Sequence, residues 1–449
     1  MIRVRGKYTD NSKTAALYIW ILAASFYGYE FLLRVFPGII QTELMQALDL
    51  DVSSLGLIFS IYYWGYASMQ IPGGVILDKI GPRITLTLAA LICSSAIIIF
   101  GYAQNSVFTG IARFLIGFGS AFALIGTLKL IGEWFPLRMF AFYSGLTYAF
   151  GTVSASLAGG PCIYIVDFIG WRQSCFLLGV IGLINTFFLW FVVRNSPSNQ
   201  PIYLTNKLDL NQDVEHLTQL RHKLKYIIWN PQSWIVGICI ALMYIPVVCF
   251  GEIWGIPYLM KLCSCSKEQA GGPMALIFIG IAIGAPLFGY ISAHVENRKY
   301  LLYFGNTSVF FIMSTIICVT ELPLSLISFL MFILGIFLGP IIILFAFIKE
   351  NNPKLVSSTA VGFANSICMI IPGIFQYFIG VLLKLLNPSS ILKAETASSF
   401  FSFKVAFLIF PISSILACLC LIFIKANTTI PSFQYKNKRK IYHSNDLRY

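Results

Sequence analysis

Charged side chains stand inside long apolar runs of this 449-residue chain, among them Glu30, Arg34, Arg113 and Glu252. Charge is costly where water is scarce, so such residues mark ion or ligand chemistry by default. Glu30 and Arg34, in YEFLLRVFP, are four apart, share a helix face and can pair in the outer half of the first run. The competing reading is that Arg34 snorkels toward the nearest polar surface. Arg113 precedes two glycines in RFLIGFG, either as a working cation or as one satisfied by carbonyls. Glu252, in GEIWGIP, closes the seventh run and precedes a proline as Glu30 precedes Pro37, so the two acids are expected to face each other, unless Glu252 is an ordinary helix-end acid. Of the carboxylates that could carry a proton, Glu30 ranks first and Glu252 second. Lys129 could bind an anion, although Glu133 one turn on could neutralise it. Asn365 and Gln376 are eleven apart, about three turns, which places both on one face toward a ligand or a neighbouring helix.

The elements that must hold these groups follow from composition. Apolar residues make up 57% of the chain and mean hydropathy is +0.79, well above a soluble protein of this length. An all-α polytopic membrane protein is expected. Runs of spanning length fall near 15–36, 53–77, 83–103, 106–130, 139–161, 173–193, 232–252, 270–291, 300–319, 323–347, 356–383 and 400–424. The net charge of +13 does not point to nucleic acid, because 22 of the 31 lysines and arginines fall on one side of these runs and six on the other. That bias puts both termini in the cytoplasm. The basic start resembles a signal peptide only superficially, since the first run is of full length and has no A-x-A site. Eleven scattered cysteines read as small packing residues; Cys263 and Cys265 form a C-x-C without the partners a metal would need, so no metal or cofactor is expected.

The organisation is then a cytoplasmic N-terminus (1–14), six spans (15–194), a polar linker (195–231), six more spans (232–425) and a basic tail (426–449) near anionic lipid. Sliding the second half over the first brings Glu133, Pro136 and Gly145 onto Glu350, Pro353 and Gly362. Nearby offsets bring Arg113 and Gly117 onto Met331 and Gly335, and Gly74 onto Gly289. Two parallel-repeat six-helix bundles are the expected architecture, twelve transmembrane helices in all. The fifth span, with Gly145, Gly151, Gly159, Gly160 and Pro161, should pack closely and bend to gate the outer mouth.

Between the second and third runs lies GVILDKIGPR, whose Gly74, Asp78, Gly81 and Arg83 fit the pattern G-x-x-x-D-x-x-G-x-R. With twelve spans and a central loop, this resembles the major facilitator superfamily. The resemblance implies that Asp78 and Arg83 latch the outward-facing state, and that Arg113 belongs to the R-x-x-x-G-x-G element associated with proton or substrate coupling. The second copy, GYISAHVENRK, has Ala293 where the acid should be, so latching should be unequal between halves. At finer grain YEFLLRVFP, KLIGEWFP and GFANSICMIIPGIFQ look like the bacterial phagosomal amino-acid and nutrient transporter branch, similar to lysosomal dipeptide transporters. The WFP element is also similar to anion:cation symporters.

These features point to a secondary carrier in the bacterial inner membrane, taking up amino acids, short peptides or a related small nutrient, with protons the coupling ion to test. Symport of an organic anion is the alternative, with Lys129 its support. No P-loop is present for ATP-driven transport. A receptor or scaffold on a carrier fold should have lost its intramembrane charges, which this chain keeps. An enzyme lacks a nucleophile with a base.

Overall fold

The computed structural model describes residues 10–197, 220–319, 321–353, 356–386 and 400–425. The first nine residues, the linker from 198 to 219, the tail from 426 onward and the side chain of Asp78 lie outside the described residues. Every described regular element is helical. Among the described residues ten helices are long and apolar enough to cross a membrane, and up to twelve spans result when two bent pairs each count as one.

Local chemistry explains the bends. The second span, Val52–Ile80, starts where the Asp51 carboxylate accepts from Ser54 N–H at 2.6 Å. The preceding short helix, Gln41–Leu48, meets it at 113° through Asp49, whose φ of 50° is a left-handed cap. It stops at Gly81, whose φ of 88° suits glycine, and Pro82 opens the third span. In the fifth span the expected bend is present, 43° between Phe142–Gly159 and Pro161–Ile169.

The seventh span corrects the sequence reading. It does not end at Glu252 but runs from Pro231 to Leu262. Pro246 cannot continue the ordinary hydrogen-bond ladder, and residues Pro246–Trp254 form a π-helical turn before normal helix resumes. Glu252 therefore sits inside a span, 3% exposed.

The internal repeat is visible as repeated packing. A side chain at Gly65 would overlap the Phe114 carbonyl, and one at Gly117 the Tyr62 carbonyl. In the second half, Gly280 stands in the same relation to Phe332 and Gly335 to Ile277. Spans two and four, and eight and ten, thus approach through matched small residues.

Across the halves, the second span packs along the eleventh and the fifth along the eighth. Gly159 and Gly271 bring the latter pair within backbone contact, and Gly380 lies against Val52 and Ser53. Both contacts lie at the ends that the charge bias assigns to the outside, called the outer ends below.

Candidate substrate and ion site

At the centre of the molecule the intramembrane charges converge. Glu30 is fully buried and Arg34 is 2% exposed. The Arg34 Nη2 donates to Glu30 Oε1 at 2.9 Å and Oε2 at 3.0 Å, the i,i+4 pairing their spacing predicts. Tyr62 donates its hydroxyl proton to Glu30 Oε2 at 2.9 Å, while Arg34 Nε reaches the Tyr62 oxygen at 3.3 Å. The guanidinium also lies 4.1 Å from the Phe31 ring centre. Arg34 does not snorkel: it turns inward and reaches the hydroxyl of Tyr244, on the seventh span, at 3.4 Å.

Arg113 lies beside this pair on the fourth span, 1% exposed. It donates from Nη1 to the Leu33 carbonyl at 3.2 Å and stacks 4.8 Å from the Tyr62 ring centre, but its Nε has no hydrogen-bond partner. Glu252 completes the group. Tyr63 donates to its Oε2, and its Oε1 has no partner. The two acids expected to face each other do belong to one cluster, held by adjacent tyrosines of the second span. Two guanidinium and two carboxylate groups balance in formal charge, yet one cation and one anion keep an unmet hydrogen-bonding atom. A buried polar atom left in that condition calls for a partner, and a bound ion or ligand is one that could supply it.

Tyr62, Tyr63 and Tyr244 were not anticipated from sequence. The signal was the run IYYWGY in the second span, where hydroxyls sit among apolar groups. Other expected residues lie elsewhere. Lys129 is sixteen positions beyond Arg113 on the same helix, roughly 24 Å along its axis. Its Nζ donates to the Leu77 carbonyl at 2.9 Å. Asn365 donates to Gln70 Oε1 at 2.8 Å, joining the halves, whereas Gln376 Nε2 reaches the Val248 carbonyl at 3.3 Å within the π-turn. Both act as polar links between helices, to different neighbours. At the inner turn, Arg83 donates to the Trp190 carbonyl at 3.0 Å and its backbone N–H to Asn195 Oδ1, both in its own half. A side chain at Gly74 would meet nothing within 4 Å, so close approach does not explain that glycine in this conformation. No group of three His, Cys, Asp or Glu that could hold a metal occurs among the described residues.

The outer ends are closed by contacts between halves. Lys267 pairs with Glu43 at 2.6 Å and Asp167 at 3.8 Å, and Lys384 with Asp51 at 2.6 Å. Partial burial pushes the Asp51 carboxyl up, but the Lys384 ammonium and Ser54 outweigh it and hold it below its ordinary value. Deeper in, Gln41 Nε2 donates to the Ile253 carbonyl at 2.6 Å.

Comparison with known proteins bears on the family and the fold. The sequence model of the Major Facilitator Superfamily matches residues 19–376. A probable sulfoacetate transporter of Cupriavidus necator is 26% identical over 62% of this chain, and a probable galactarate/D-glucarate transporter of Escherichia coli K12 is 27% identical over 42%. These matches span 65% and 44% of the two relatives' own lengths, in each case less than two thirds. Among solved structures, an inward-facing bacterial homologue of the human lysosomal transporter Spinster superposes with a TM-score of 0.70 at 15% identity, covering 93% of this chain and 98% of that one.

Proposed function

Because the chain belongs to the Major Facilitator Superfamily, we propose that it is a secondary carrier for small organic anions, carboxylates or sulfonates, working by alternating access of its two halves around the central cluster. The bilayer is that of a bacterial inner membrane, with both termini cytoplasmic. The observation that carries this reading is Arg113: a buried guanidinium held by one backbone carbonyl, its Nε open, beside a second arginine. A planar donor fork of this kind suits a carboxylate or sulfonate oxygen pair. Relatives whose names carry sulfoacetate and hexarates support the anion. They favour the alternative raised from sequence over the amino-acid and peptide reading. On this reading the anion is held by Arg113 beside Arg34 rather than by Lys129, whose Nζ donates to the Leu77 carbonyl.

One observation keeps the amino-acid reading as the competing arm, the open Oε1 of Glu252, which could face an ammonium group. Uptake into proteoliposomes of sulfoacetate, a hexarate, amino acids and dipeptides, with and without an imposed pH gradient, separates the two. Saturable uptake of the anions, uninhibited by amino acids and dipeptides, is expected. Uptake of amino acids or dipeptides that excludes the anions would overturn the assignment.

A further inference from the structure

The two buried acids differ in what holds them. Every hydrogen bond on the Glu30 carboxylate comes from Arg34 and Tyr62, both in the first half of the chain, so rocking of the halves leaves it paired. Glu252 is held across the halves. Its carboxylate takes the Tyr63 hydroxyl from the second span, and its backbone is the surface on which the outer end of the first span docks. A side chain at Gly38 would overlap the Glu252 carbonyl, and Gln41 caps the next carbonyl, that of Ile253. Two carbonyls of the π-turn, those of Ile253 and Val248, thus accept from side-chain amides, Gln41 of the first half and Gln376 of the eleventh span.

We propose that Glu252 is the proton-binding site of the carrier, that it takes its proton from the outer side only when the outer contacts of Gly38, Gln41 and Tyr63 with the π-turn are broken, and that it gives the proton up to the inner side when the halves rock the other way. This deepens the anion-carrier reading and rests on it. In the closed arrangement Oε1 has no donor, and an unpartnered carboxylate at this depth is costly. A proton bound from water to Oε1 removes that charge and shifts the cluster from balanced to one positive, which favours an anion between Arg34 and Arg113. The groups facing Glu252 are Tyr63 from the second span, Arg34 and Glu30 from the first, Arg113 from the fourth, Tyr244 and Cys249 from its own span and Cys368 from the eleventh. Among them only Glu30 is another carboxylate, and its contacts do not cross the halves.

The test reads protons rather than transport. Purified full-length protein in weakly buffered detergent solution is mixed with sulfoacetate or a hexarate, and a pH indicator reports proton uptake while calorimetry reports anion binding. The expected result is about one proton per anion bound in the wild type, with loss of that proton in Glu252→Gln and its return in Glu252→Asp, which keeps a carboxyl and controls for misfolding. Proton uptake that survives Glu252→Gln overturns the site. Anion binding with no proton taken up by the wild type overturns the inference and leaves the carrier reading standing. If neither anion binds, both fall.

Discussion

At the residue scale, the pairing of Glu30 with Arg34 carries its own expectation. Arg34→Ala leaves a buried carboxylate without its cation and should lower stability by about 3–5 kcal/mol, whereas Glu30→Gln with Arg34→Met should recover most of that loss. Thermal unfolding in detergent, followed by loss of monodisperse protein, measures both. A carboxylate or guanidinium in an apolar run stands out by type alone, and Glu30, Arg34, Arg113 and Glu252 do meet in one cluster. Tyrosine is counted among the apolar residues of the composition, so Tyr62 and Tyr63, which organise the cluster, give no comparable signal. Sequence shows that Lys129 is a cation in a span but not how far along the axis it lies from the others.

At the element scale, the repeat was readable as offsets between glycines, and the structure turns those offsets into helix contacts. Gly117→Ala and Gly335→Ala each place a methyl group against a carbonyl of the facing helix, on Tyr62 and Ile277. Each should cost about 1–3 kcal/mol through overpacking. Gly74→Ala and Gly289→Ala meet nothing within 4 Å and should leave the melting temperature nearly unchanged, since alanine also suits helix better. Equal effects at all four positions would contradict the matched packing. The end of the seventh span differs for a physical reason: Glu252 followed by Pro257 looks like a terminus, whereas the chain passes through the π-turn Pro246–Trp254 and the helix continues to Leu262 with Pro257 in its first turn. The bend at Gly160 and Pro161 was legible because glycine followed by proline has few other uses in a span.

At the scale of the whole molecule, the fold shows its halves closed at the outer ends, with the described inner-turn contacts of Arg83 confined to one half. The conformation itself was not legible, because the same sequence must serve every state of the transport cycle. The outer ion pairs are partly exposed, so each is worth less than about 1 kcal/mol and their effect lies in the balance of states. Asp51 is held below its ordinary value, so the stabilisation from its pair with Lys384 is complete above the unfolded value and is lost as pH falls through the lowered folded value. Acidification through that range should therefore loosen the outer closure, and Asp51→Asn with Glu43→Gln should mimic it at neutral pH. Faster hydrogen exchange of amides in residues 246–254 reports the loosening, and unchanged exchange would contradict it. The central claim, that a buried arginine selects an organic anion, is met most directly by anion affinity in the wild type and in Arg113→Gln, measured by calorimetry with sulfoacetate and a hexarate. Loss of one charge-assisted interaction, about 1.5–3 kcal/mol, should weaken binding roughly 10- to 100-fold, while equal affinity in the two proteins would contradict it.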